Sequence, residues 1–499
     1  MPGSPRSSSS FIPPSRAAMT ISAAPSDLGD AATASVSAST SRIDPQALAS
    51  QLAALAARAG IRQWDLGASC STDTSVQVDR GEPKQMKGAQ RRAITVRVWN
   101  EHGLVGITST SDLSPAGLER ALSGAHEASA FGNPDDTPAF SPLAQAPLPE
   151  LDQPHRQPLS ILTLLQTLQE AERDLLGRHP AFGTVPYNGL AQRSSERLYL
   201  NSDGACRHQS LTTASVYLYA RAEEAGRKPR SSGAMRLAYG AADLDVQGCI
   251  AEAAERTIAH LDYAPIETGR YTCVFSPEAF LDLIGAFSSL FNARAVLDGV
   301  SLSTRESLGQ GLAVPFFSLH DNGLHPGNIG ASRFDGEGTP TARLALVEGG
   351  VLRHFLHSEA TARAFAVAPT GHAGLGAKVS VGPDWFEIGT TPGSSGGQAG
   401  LDRHAGRGFG AEEGRGLVVI DSLSALHAGV KASQGSFSLP FDGWWIRDGE
   451  QLSIEAATVA GDIRQLLQAI VGFEGEAKVT PGGLCPWVWV EGLSVTGEA

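Results

Sequence analysis

Arg197-Leu198-Tyr199-Leu200-Asn201-Ser202-Asp203-Gly204-Ala205-Cys206 opens a stretch that runs on to Ala222, with strand-forming residues on both sides of Ser202-Asp203-Gly204. The Asp-Gly pair supplies positive-φ positions for a tight turn, so 197–201 and 206–222 are expected to form an antiparallel hairpin. The same grammar recurs along the chain. Residues 68–78 and 93–98 alternate apolar and polar side chains, and Asn100-Glu101-His102-Gly103 marks a turn before Leu104-Val105-Gly106-Ile107. Three antiparallel strands are predicted there. Further hairpins are expected around Gly349-Gly350, joining 341–347 to 351–356, and around Asp448-Gly449, joining 444–446 to 452–454. A short strand is expected over 270–275.

Helices are fewer. Leu48, Leu52 and Leu55 after Pro45 give an amphipathic helix ending at Gly60, and Ser114-Pro115 starts another that reaches Phe131. Residues 158–178, 241–261 and 277–290 read as helices, while the Pro-rich stretch 132–157 reads as a surface connection. The fold class is therefore α+β, with an N-terminal α+β domain of antiparallel sheet and helices and a C-terminal β-rich domain of mainly antiparallel strands. The expected divisions are a disordered extension over 1–44, the N-terminal domain over 45–131, a linker and central region over 132–265, and the β-rich domain over 266–499. A glycine-rich loop without periodicity is expected over 389–416. The first 44 residues fit a transit peptide, with Arg6 and Arg16 before any acid, or an over-long reading frame whose true start is Met19.

Composition removes several function classes. Fifty-six glycines in 499 residues, about 11% against a usual ~7%, favour hairpins over helical repeats, and no Gly-X-Y period exists. Thirty-nine Lys and Arg against 52 Asp and Glu leave a net charge of -13, the wrong sign for a direct nucleic-acid partner. No apolar run is long enough for a membrane helix, so no membrane partner is expected. Five scattered cysteines without CxxC spacing read as reduced thiols in a cytoplasmic protein.

His126-Glu127 begins like the zinc helix HExxH, but Ala130 stands four residues on and Phe131 five on, so a solvated helix face is expected. His320, His325, His354 and His357 lie close in sequence. A strand running through Leu352, Phe355 and Leu356 would place His354 and His357 on opposite faces, so no metal is expected there. No P-loop, dinucleotide fingerprint or nucleophile elbow occurs. Asp335-Gly336-Glu337-Gly338-Thr339-Pro340 sets two acids among glycines ahead of a strand, either to position carboxylates at a cleft or as an ordinary charged turn. Thr370-Gly371-His372-Ala373-Gly374 is a second loop of this sort.

From Asp65 to Gly497 these motifs, in order, make the chain resemble the TldD/PmbA family, the former "modulator of DNA gyrase" group. The resemblance is carried by Val78-Asp79-Arg80-Gly81, Ser109-Thr110-Ser111-Asp112-Leu113-Ser114-Pro115, Leu200-Asn201-Ser202-Asp203-Gly204 and Phe275-Ser276-Pro277-Glu278-Ala279. It continues through Phe334-Asp335-Gly336-Glu337-Gly338-Thr339, Thr370-Gly371-His372-Ala373, Trp445-Ile446-Arg447-Asp448-Gly449-Glu450 and Val459-Ala460-Gly461-Asp462. It implies a cytosolic two-subunit peptidase in which TldD-type chains carry zinc on a HExxxH helix plus a late Cys and TldE/PmbA-type chains lack the helix motif. Where that motif would fall, this chain reads Leu283-Ile284-Gly285-Ala286-Phe287-Ser288-Ser289-Leu290. Cys485 matches the late cysteine in position, but a lone thiolate cannot complete a tetrahedral zinc site. A stretch that the family writes TGDFS is Gln434-Gly435-Ser436-Phe437-Ser438 here.

The resemblance thus implies a TldE/PmbA-like subunit, with no catalytic residue, metal or cofactor of its own, acting on unfolded peptides or peptide precursors. Its zinc would sit in a TldD-like partner. The alternative from another class is a non-catalytic homodimer that binds peptides or regulates. A third reading is a metal-independent hydrolase using Asp335, Glu337 and His372, which requires those groups within hydrogen-bond reach of one another. Asp335, Glu337, Thr339, His372 and Cys485 are the candidate substrate-groove residues.

Overall fold

Six strands build the first half: β1 (Gln63–Asp79), β2 (Glu82–Trp99), β3 (Val105–Thr110), β4 (Phe182–Asn201), β5 (Cys206–Ala222) and β6 (Arg230–Ala238). They form one antiparallel sheet in the order β3-β2-β1-β4-β5-β6. The computed structural model describes residues 43–133, 138–376, 378–391, 401–403, 416–447 and 450–497. The three expected N-terminal strands and the central hairpin are all present; β1, β2, β3 and β4 are longer than their alternation suggested, and β5 has the expected span. Pairing of β1 with β4 over twelve registers carries the sheet across the sequence segments 45–131 and 132–265, so the two share one sheet.

Strand periodicity explains how the sheet is covered. Leu66, Ala68, Val76 and Val78 of β1 and Leu190, Leu198 and Leu200 of β4 are even-numbered and buried, so they share one face. Helices α1 (Pro45–Arg58) and α2 (Pro115–Ser129) cover one end of that face, and α3 (Ile161–Leu176) and α4 (Val246–Ala259) cover the other. Asp44 caps α1, its carboxylate accepting from the amides of Gln46 and Ala47. Asp44 thereby belongs to the folded chain, while 1–42 of the expected disordered extension lie outside the described residues.

The second sheet has thirteen strands. Its main path runs Val351–Leu352, Leu344–Glu348, Phe317–Asp321, Phe386–Thr390, Gly483–Gly497, Gly269–Phe275, Leu417–Leu423, Ser436–Arg447, Glu450–Ile454, Tyr263–Ala264. Most pairs are antiparallel; three are parallel. Helix α5 (Pro277–Ala286) packs beneath it through Phe280, Leu283 and Ile284, with Phe287 following at its C-cap.

Several boundaries differ from expectation. The helix over 241–261 is broken: Ala241–Asp243 is a 3-10 turn, and Asp245 starts α4 by accepting from Gly248 N at 2.8 Å. The helix over 277–290 tightens into 3-10 geometry at Ser288–Phe291. The strand over 351–356 stops at Leu352, so the opposite-face argument for His354 and His357 does not apply. His354 is exposed and His357 buried in the chain that leaves the strand. In the 202–205 turn only Gly204 has positive φ (93°); Asn201 closes it, its side-chain oxygen accepting from Asp203 N and Ala205 N. Of the glycine-rich stretch, 389–390 finish a strand and most of the rest lies outside the described residues.

Helix α2 lies directly on β3. A Cβ at Gly106 would stand 1.9 Å from Ala125 O and 2.3 Å from Ser129 N, so glycine is what lets the backbones meet. Gly106→Ala is expected to cost about 1–3 kcal/mol by overpacking. Gly88→Ala, where a Cβ meets nothing within 4 Å, should stay within about 0.5 kcal/mol of wild type. Equal denaturant midpoints for the two variants would contradict this packing.

Candidate functional site

The loop Asp335–Thr339 is folded around its own first carboxylate. Asp335 Oδ1 accepts from Glu337 N (2.8 Å) and Thr339 N (2.9 Å), and Oδ2 accepts from Ala373 N (3.0 Å) in the second loop. The glycines are where neighbours come close. A Cβ at Gly336 would meet Leu375 N at 2.2 Å, and Gly338 has φ 78° with the Tyr199 ring 2.5 Å from where a Cβ would be. Thr339 donates to Ser141 Oγ at 2.8 Å.

Glu337 enters the N-terminal sheet. Its Oε1 accepts from Arg97 Nη1 at 3.3 Å and its Oε2 from Glu359 N at 2.8 Å. Arg97 in turn binds Asp65, directly opposite on β1, through Nε at 2.9 Å and Nη2 at 2.5 Å. Tyr199 donates to the same carboxylate at 3.1 Å. Asp65, Arg97 and Glu337 are fully buried, the odd-numbered face of the sheet carrying charge where the even face carries the apolar core. Burial raises the Glu337 carboxyl, with Arg97 opposing. Burial alone would lower the Arg97 guanidinium, but Asp65 and Glu337 hold it above its usual value.

His372 sits beside this loop with no side-chain exposure. Its Nδ1 is 2.9 Å from Thr370 Oγ1 and its Nε2 is 3.4 Å from Asp321 Oδ1. Asp321, at the end of its strand, also accepts from Asp384 N (2.8 Å) and Trp385 N (3.3 Å). One ligand atom each from Asp321, His372 and Asp384 lies within 4.8 Å of the others, a grouping that could hold a metal ion. Sequence reading missed Asp65, Arg97, Asp321 and Asp384. The signal for the first two was present: once the hairpin register is set, an acid and a base inside two apolar strands fall opposite each other.

The five groove candidates therefore separate. Asp335, Glu337, Thr339 and His372 share one region, but each is buried and hydrogen-bonded in place. Their side chains bond to backbone amides, Arg97, Ser141 and Thr370 and not to one another's side chains, so the hydrolase reading loses its required contacts. Cys485 lies elsewhere, fully buried in the C-terminal core, and burial pushes its thiol well up. All five are buried among the described residues. His126 and Glu127 are exposed on α2, as expected.

A family zinc site does not fit α5. Leu283, Ile284, Phe287 and Leu290 are buried in the core, and Gly285, Ala286, Ser288 and Ser289 offer no imidazole, carboxylate or thiolate.

Comparison with known proteins covers nearly the whole described chain. The three domain models of the PmbA/TldA metallopeptidases match residues 64–129 (domain 1), 154–261 (central domain) and 268–497 (C-terminal domain). The chain is 23% identical to Metalloprotease PmbA of Escherichia coli O157:H7 over 443 residues, covering 87% of this chain and 92% of that one. It is 24% identical to a Metalloprotease PmbA homolog of Haemophilus influenzae, covering 73% and 76%. A putative modulator of a DNA gyrase from Thermotoga maritima superposes with TM-score 0.78 at 24% identity, covering 90% of this chain and 100% of that one. TldE from Thermococcus kodakarensis superposes at 0.73 with 18% identity, covering 91% and 99%.

Two outcomes test the seam. Arg97→Met leaves Asp65 and Glu337 buried without their cation and is expected to cost about 3–5 kcal/mol in equilibrium unfolding. A loss under 1 kcal/mol would show that the network is not buried as described. Burial, with Glu337 adding, pushes the Asp335 carboxyl up to about 7, above an unfolded value of about 3.9. A raised folded pKa contributes stability that is whole below ~3.9 and is lost as pH rises through ~7. The stability gap between wild type and Asp335→Asn should narrow as pH rises from about 4 to above 7, and a widening gap would contradict the assignment.

Proposed function

Because the chain belongs to the PmbA/TldD metallopeptidase family, we propose that it is the TldE/PmbA-type subunit of a peptidase pair, working in the cytosol with a zinc-bearing TldD-like chain on unfolded peptides or peptide precursors. The observation that carries this reading is α5: the scaffold is whole, yet the turn of helix where the resemblance puts two His and a Glu is occupied by core Leu, Ile and Phe. Five unpaired cysteines agree with a reducing compartment. Among the described residues no helix is long and apolar enough to cross a membrane.

In such a pair this chain would supply walls and alignment. Pairing of β2 with β3 begins only at Ile94. Among the described residues, Glu82–Ala93 bonds to β1 on one side and leaves its other edge open. An extended peptide or a partner strand can add to such an edge by main-chain hydrogen bonds.

The test is reconstitution. The chain should purify one-to-one with a HExxxH-bearing relative, and the mixture should cleave an unfolded, alkylated protein in a chelator-sensitive way while the chain alone does not. Chelator-sensitive cleavage by the chain alone would overturn the proposal. A stable self-pair that ignores the relative would overturn it in favour of a homodimeric peptide-binding protein.

A further inference from the structure

Hydrogen bonding engages one ring nitrogen of His372 and leaves the other without a partner. The Thr370 hydroxyl donates to His357 O at 3.2 Å and accepts from His357 N at 2.7 Å. Thr370 Oγ1 also stands 2.9 Å from His372 Nδ1, so that side of the ring is engaged. With Nδ1 donating to Thr370, the neutral ring would present the Nε2 lone pair to the Asp321 carboxylate. Nε2 has no hydrogen-bond partner and no solvent exposure. A second orphan stands nearby, since the buried Thr341 hydroxyl also lacks a partner. Gly323 separates Thr341 from Asp384, a Cβ there coming 3.0 Å from each, and Gly371 packs His372's loop on Pro340 and Thr341.

A cation between Nε2 and the carboxylate, either a proton or a metal ion, would satisfy both. A proton shared by imidazole and carboxylate draws the heavy atoms to about 2.7–2.9 Å; here they are 3.4 Å apart. Two ligands on one tetrahedral zinc, with bonds of about 2.0–2.1 Å, stand about 3.3–3.4 Å apart. Asp384 supplies a second carboxylate within reach and is half-buried, which leaves the group open to water on its side. Nδ1 donating to Thr370 would be the outer support that orients a metal-binding imidazole.

We propose that Asp321, His372 and Asp384 bind a divalent first-row metal ion of the zinc class, with water at the remaining position. The ion ties the end of the Phe317–Asp321 strand to the 370–374 loop and to the segment entering the Phe386–Thr390 strand. It takes no ligand from α5, and no catalytic step is assigned to it.

The test uses the full chain, stripped with chelator and titrated with Zn2+ and with Co2+ as a spectroscopic probe. Wild type should take up one ion per chain, show the visible absorption of low-coordinate Co2+, and melt higher as Zn2+ is added. Asp384→Asn, at the half-buried position, should keep the fold and bind at least about tenfold more weakly, and His372→Gln should abolish the cobalt band. If Asp384→Asn binds and melts with Zn2+ as wild type does, or if wild type takes up no ion and His372 is a fixed imidazolium by NMR, the metal assignment is wrong. These readouts involve no partner and no peptide hydrolysis, so they stand apart from the pairing experiment.

Discussion

The fold turns on one buried guanidinium. Arg97 lies inside a strand whose even-numbered neighbours feed the helix-covered core, so its own side chain must leave by the opposite face. There it meets Asp65 across the hairpin and Glu337 from the C-terminal half. Removing such a charge from water costs several kcal/mol per ion, and attraction between partners repays this only when every group is satisfied. The surroundings meet that condition: Tyr199 serves Asp65, and the amide of Glu359 serves Glu337. A docking of the 335–339 loop that moved Glu337 off Arg97 would leave both charges buried without that partner.

That constraint propagates. Glu337 reaches Arg97 only if its loop is held tightly, which Asp335 does by gathering three amides, one of them from Ala373. The Ala373 contact fixes the neighbouring His372, and through Thr370 and His357 the same chain of bonds runs to the segment that begins at Ser358. Leu375 leaves this loop to fill the space over Gly67 of β1, where a Cβ would stand 2.3 Å from its side chain. Sheet and loop thus interlock by charge and by shape at the same place.

How much of this was legible in the sequence follows from the range of each signal. Hairpins and capped helices are local, and the Asn201–Gly204 turn, the Gly349-Gly350 pair, Pro45 and Ser114-Pro115 all announced them. Failures came where tertiary packing overrides periodicity. Asp245 could read as one more polar helix residue, but it caps α4 and divides the helix. The run Leu352, Phe355, Leu356 looked like alternation, but Phe355 and Leu356 pack into the core from an irregular segment. Residues 93–98 read as a half-exposed strand because Thr95 and Arg97 are polar; nothing local says that a loop 240 residues away covers them. The two loops were found, but Asp321 and Asp384, single acids in unremarkable surroundings, become a site only when three distant segments converge.

The same comparison bears on what the loop motif means. Acids and a histidine that recur in order with a peptidase family invite a catalytic reading, yet every position from Asp335 to Thr339 has a packing reason. Asp335 must accept three amides. Gly336 must admit Leu375 N, and Gly338 must adopt φ 78° against Tyr199. Glu337 must neutralise a buried arginine, and Thr339 must reach Ser141. A catalytic carboxylate needs a lone pair free for substrate or water, and the Asp335 and Glu337 oxygens are already engaged by the fold. The motif is better understood as the clasp that closes the N-terminal sheet on the C-terminal half. Its residues are thus accounted for by the joining of the two sheets, with no catalytic role required of them.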